Sequence, residues 1–256
     1  MAVLSVDLAF RRWSDLGIVV LDRAQESPIS CEILSSKQPE DPLGPVDPNI
    51  LAGRLNHLCG VRGIHVILLD GPQAWKSRFN GLDHARISER QLNTAAKTGL
   101  PGQVKPITYR AFAEFCVDVY DALCRRGWKR LDTLSQPSSP HDRVQDRVLV
   151  ESYPHAAWKS LGLKPLPSKR RAKVSDLAAA YHALNSLIPI ATSRPPNHDQ
   201  LQAIVGGLPG LALEVHDTAG ARIVGNPPRR EEGHWREGFI VLPLPPARPV
   251  SVRWLQ

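Results

Sequence analysis

The chain has 256 residues, 42% hydrophobic and 22% charged, enough apolar material for a sizeable core and too much for global disorder. A formal net charge of +7 favours a polyanionic partner such as nucleic acid without demanding one. Four scattered cysteines (Cys31, Cys59, Cys116, Cys124) lack any C-x-x-C pair and keep no zinc-ligand spacing with the nine histidines, so they read as reduced thiols of a cytoplasmic protein.

The first apolar run, Val3–Phe10, reads as a strand with Asp7 in its middle. It is too short for a membrane span, and Arg11 and Arg12 follow it rather than precede it, unlike a secretory signal. Gly17–Leu21 is a second strand, joined to the first by a short polar turn as an antiparallel hairpin, and Ile29–Leu34 a third. After the Pro-rich connector "KQPEDPLGPVDP", Ile50, Leu51, Leu55 and Leu58 keep helical spacing, with Asp47 as cap and Pro48 at the first position. "IHVILLDGP" is apolar nearly throughout, as a central strand covered on both faces would be.

A helix is predicted from about Tyr109 to Arg126, with Phe112, Phe115, Val119 and Leu123 on one stripe, then the loop "TLSQPSSPHD". "RVLVESYP" (147–154) is the next strand. Helices are expected over Pro154–Leu161, Val174–Leu187 and from Asn197 or His198 to about Val205, then a strand in "EGFIVLP" and a Pro-rich tail, 243–256. The order predicts a single α/β domain with an RNase H-like mixed five-stranded sheet flanked by helices, carrying a mostly helical insertion around 73–145.

Four acids stand out within that order. Asp7 lies in the first strand, Asp70 ends the central one, Glu151 ends the later one, and Asp199 opens a helix. Converging carboxylates repel unless a cation sits among them, and oxygen-only ligands select hard ions such as Mg²⁺ or Mn²⁺. Each acid also has a plain structural reading: a buried ion pair for Asp7, a turn for Asp70, a solvated strand end for Glu151, a helix cap for Asp199.

The blocks "VDLA", "LLDGP", "SERQLNTAAKTG", "VLVESYPHAAWKSLG", "LPSKRRAKVSDL", "NHDQLQAI" and "EGFIVLP" together resemble the predicted RNase H-like nuclease family known as domain of unknown function 429. The likeness runs from Asp7 to Pro243. It implies an RNase H-like core and metal-dependent nuclease activity, with Asp7, Asp70, Glu151 and Asp199 as the acidic positions. In one respect the chain departs from resolvase-type nucleases: they often carry D-x-x-D-A on the last helix, and here Gln202 stands at the second acid.

Of the basic residues, Arg90 and Lys97 in "SERQLNTAAKTG", and Lys169 and Arg170 in "SKRRAK", are candidates for holding phosphates. Each is equally a solvated surface cation, although "SKRRAK" precedes a helix, where cations oppose the dipole. Trp75 and Trp158 are candidates for base stacking or for the core, and His198 for positioning water or for a plain surface role.

The leading expectation is a Mg²⁺- or Mn²⁺-dependent nuclease acting on DNA or RNA, with Asp7, Asp70 and Asp199 as ligands and Glu151 assisting. The alternative is a non-catalytic nucleic-acid-binding or complex-forming protein on the same fold, with a protein partner for the Pro-rich tail. Sugar-kinase chemistry fits least, because the first turn, "RRWSDLG", has no glycine-rich phosphate loop.

Overall fold

In this chain alternate residues of the central strands are apolar in both directions, so the sheet must be covered on both faces. The structure, a computed structural model, describes residues 2–23, 28–39, 41–42, 44–133, 146–215 and 220–245. Strand β1 (Ala2–Asp7) pairs antiparallel with β2 (Gly17–Asp22) across a single 3-10 turn at Trp13–Asp15, and β2 pairs antiparallel with β3 (Ile29–Ile33). Helix α1 (Pro48–Arg62) starts where the sequence says it should, with the Asp47 carboxylate accepting from the Asn49 and Ile50 amides. It leads into β4 (Val66–Asp70), parallel to β1.

The segment after β4 is only partly helical. It holds α2 (Ile87–Leu92), the small antiparallel pair β5 (Lys97–Thr98) and β6 (Val104–Lys105), then α3 (Arg110–Cys124) and the short β7 (Lys129–Arg130). The rest of the predicted insertion, 134–145, and residues 246–256 of the tail lie outside the described residues. Strand β8 (Val148–Ser152) pairs parallel with β4 and with β7, and is followed by α4 (Pro154–Ser160) and α5 (Val174–Leu187). Then come β9 (Ile190–Thr192), α6 (His198–Glu214), β10 (Ala221–Val224), the hairpin β11 (Arg229–Glu231) and β12 (His234–Arg236), and β13 (Ile240–Pro243).

Among the described residues the main sheet runs β10-β13-β8-β4-β1-β2-β3-β9, with β7 also on β8. Its middle, β3-β2-β1-β4-β8, has β2 alone reversed, which is the RNase H-like order, and the outer strands extend this core on both sides. Val3, Leu21, Leu68 and Val150 pack on one face against α6, with Trp158 and Leu184 from α4 and α5 in the same core. Leu4, Val20, Ile67 and Leu149 pack on the other face against Leu51 and Leu55 of α1 and Phe115 and Val119 of α3.

Two expectations need correction. Asp7 is the last residue of β1, not a mid-strand residue, because the chain leaves the sheet after it. Helix α6 extends to Glu214, nine residues past the expected end, since burial along its length overrides Gly206, Gly207 and Pro209. Of the two readings of Trp75 and Trp158, burial selects the core. Among the described residues no helix is long and apolar enough to cross a membrane, and the four cysteines are free thiols.

Candidate active site

Strand register decides which acids meet. In the parallel pair β1–β4, Asp7 stands directly beside Asp70, both at the carboxyl ends of their strands. On the other side of β1, Asp7 faces Gly17, which leaves open the space a side chain would fill. The first turn of α6 occupies that space: a Cβ built on Gly17 would lie 2.2 Å from the Asp199 carbonyl oxygen. Further along α6, Gly207 meets the Ser5 side chain and Gly210 meets Leu68, so the helix lies close on the sheet with Asp199 next to the strand ends.

The electrostatics follow from that crowding. Burial, then the neighbouring carboxylates of Asp70 and Asp199, push the Asp7 carboxyl well above the usual range, and Lys169 offsets part of this. The Asp70 carboxyl is pushed up to about 7, chiefly by burial, with Glu151 adding to the rise and a hydrogen bond from Asp7 opposing it. At neutral pH the pair therefore shares a proton, since two carboxylates side by side do not both ionise unless a cation joins them.

Glu151 goes elsewhere. In β8 it lies opposite Leu69, one residue out of step with Asp70, and strand alternation sends it to the other face. There Arg86 grips it with two hydrogen bonds of 2.7 and 2.6 Å, and the Gln73 amide donates a third of 3.0 Å. Arg86 also donates to Glu89 and Thr98, at 3.1 Å each, and the Thr98 hydroxyl and amide both donate to Glu89. Burial raises the Glu151 carboxyl and Arg86 draws it back, so this is a buried, internally compensated cluster with no oxygen left unoccupied on Glu151. Arg86 was not legible in the sequence, where it stands 65 residues from Glu151 in a polar stretch with no pattern.

That cluster has a second effect: it ties the stretch from Arg86 to Thr98 to the carboxyl end of β8. The tie holds Arg90, exposed in the last turn of α2, and Lys97, half-buried with its Nζ on the Thr94 carbonyl, at this end of the sheet. From the other side, Lys169 donates to Asp199 and, at 3.0 Å, to Asp15, while Arg170 is exposed beside it. His198 places Nδ1 3.3 Å from Asp199 and Nε2 3.0 Å from the Pro167 carbonyl. Gln202, the departure from the D-x-x-D-A pattern noted above, accepts from the Trp158 indole at 2.9 Å and so supports the core.

The donor set at the sheet end is all oxygen, suited to a hard divalent cation at Asp7 and Asp70 with Asp199 as third ligand. As they stand, no three His, Cys, Asp or Glu side chains among the described residues are gathered as a ready metal site. Lys169 meanwhile engages one Asp199 oxygen that a metal would take.

No protein-family model and no curated protein sequence matches the chain. Among solved structures it is similar to Thermus thermophilus RuvC, at 11% identity and a TM-score of 0.35, over 84% of this chain and 92% of that one. It is also similar to T. thermophilus RuvC in complex with a Holliday junction substrate, at 10% identity and a TM-score of 0.34, over the same shares. The overlap is loose, and the RNase H-like assignment rests on the strand order and registers given above.

Proposed function

We propose that the chain is a divalent-metal-dependent phosphodiester hydrolase acting on nucleic acid, as its motif resemblance to the domain of unknown function 429 family implies. The observation that carries the reading is the side-by-side placement of Asp7 and Asp70 at the carboxyl ends of adjacent parallel strands, with Asp199 brought in by α6. When bound, Mg²⁺ or Mn²⁺ would activate water and stabilise the leaving oxygen. Asp7 and Asp70 would give up their shared proton to become its ligands, and Asp199 would complete the set. Glu151 acts at one remove, keeping Arg86 and through it the segment bearing Arg90 and Lys97 in place. Arg90, Lys97, Lys169 and Arg170 would meet backbone phosphates, which gives affinity without sequence preference.

Asp7→Asn is expected to abolish cleavage of labelled single- and double-stranded DNA and RNA in Mg²⁺ or Mn²⁺ while leaving the circular dichroism spectrum unchanged. Metal-dependent cleavage by a cleanly purified Asp7→Asn protein would refute the assignment. A second reading, a nucleic-acid-binding protein without catalysis, is favoured by Gln202, whose side chain serves Trp158 where resolvase-type nucleases often hold an acid. Binding that persists in EDTA, with no cleavage by the wild-type chain in either metal, would establish it.

A further inference from the structure

Lys169 has a position that its role as a surface cation does not explain. Its Nζ bonds Asp199 and Asp15 together, and its charge reaches Asp7. Two residues upstream, the Pro167 carbonyl meets His198, so the turn that carries Lys169 is fastened to the first turn of α6 at two points. Asp199 is almost fully buried, with Lys169 on one oxygen and His198 facing the other, whereas the Lys169 side chain is 49% exposed. One partner is therefore fixed in the fold and the other is free to swing away.

We propose that Lys169 is a displaceable counter-cation of the acid cluster: it neutralises Asp199 in the metal-free chain, and metal loading exchanges its ammonium out of that carboxylate. The inference rests on the metal-site reading above. An ammonium and a divalent ion cannot share one carboxylate oxygen at contact distance without strong mutual repulsion. Asp15 retains the displaced Nζ at the rim, where a phosphate arriving at the site would meet it. Metal affinity is then set by this chain's own lysine as well as by its acids.

The test is Mn²⁺ binding to the full chain without nucleic acid, followed by electron paramagnetic resonance and by calorimetry. Lys169→Met is expected to bind Mn²⁺ about fivefold more tightly than wild type, the size of a partly exposed ion pair removed from the competition. Lys169→Arg should stay near wild type, and Arg170→Gln, which removes an adjacent charge that touches no acid among the described residues, should change affinity less than twofold. Equal affinity of Lys169→Met and wild type would overturn the exchange, as would an equal gain in Arg170→Gln, since the effect would then be diffuse charge. Absence of binding to both wild type and Lys169→Met, or undiminished binding to Asp7→Asn, would overturn the metal-site reading itself. Lys169→Gln provides a second neutral variant should the methionine impair folding.

Discussion

Asp70 and Asp7 are partly withdrawn from water, beside one another, at a cost the folded chain bears alone. With the Asp70 carboxyl raised from 3.8 to about 7, the folded chain keeps a proton between those values that the unfolded chain has released. Stability therefore falls as pH rises through that window, and the penalty is fully present above it. Asp70→Asn is expected to stabilise the metal-free protein by on the order of 2 kcal/mol at pH 8 and by almost nothing at pH 3.5, as read from urea unfolding at the two values. Arg86 presents the opposite case. Arg86→Met would leave Glu151 and Glu89 buried without a cation, and a loss of about 3–5 kcal/mol in the same assay is expected. Pairing it with Glu151→Leu should return part of that loss. The sequence made Asp7 and Asp70 legible because an acid within or at the end of an apolar run is a local anomaly, although Asp7 read as mid-strand rather than last in β1. Glu151 looked the same, but its destination depended on a register offset of one residue and on a partner far away in the chain, neither of which leaves a local trace.

Helix α6 shows how an element carries a site. Its glycines read as breakers one by one, yet they are what allows its close approach to Ser5 and Leu68. A helix flush against a sheet is satisfied by burial on many sides, which outweighs the poor propensity of glycine and the missing donor of Pro209. That compensation comes from tertiary packing, so the boundary near Val205 was the natural reading of the sequence. Gly17 is the matching gap in β2. Gly17→Ala would drive a methyl group into the Asp199 backbone, which cannot rotate away, and α6 would have to lift at its first turn. A stability loss of about 1–3 kcal/mol is expected, with Mn²⁺ affinity reduced alongside it. Retained affinity at reduced stability would separate packing of the helix from placement of the acid.

For the molecule as a whole, the RNase H-like middle of the sheet was legible because its strands are apolar runs or, in β3, an apolar–polar alternation, bounded by turn residues. The outer strands β9 and β10 and the separate hairpin β11–β12 were not, being three or four residues long, with charged side chains in all but β9, and gaining strand geometry from their neighbours. The net charge of +7 bears at this scale too. Binding to single- or double-stranded nucleic acid is expected to weaken linearly in log–log terms with salt. Arg90→Ala and Lys97→Ala should each lower the slope by about one without altering sequence preference. Fluorescence anisotropy titrations at four salt concentrations measure this, and unchanged slopes would remove those side chains from the phosphate path.

The Glu237 carboxylate accepts from the Ser77 amide at 2.9 Å, the Asn80 side chain at 2.6 Å and the Ile87 amide at 2.8 Å, although about 150 residues separate the two segments. Glu231 accepts from the Ser77 hydroxyl in the same way. The wall beside Asp70 and the hairpin near the end of the fold are therefore one module written in two distant pieces of chain. A deletion that trims either piece strands the other's buried amides, so a homologue that has lost one should have shed both. Splitting the polypeptide between them would give fragments whose reassembly must rebuild both carboxylate contacts and the main-chain bonds of Trp75 to Trp235 and Glu237.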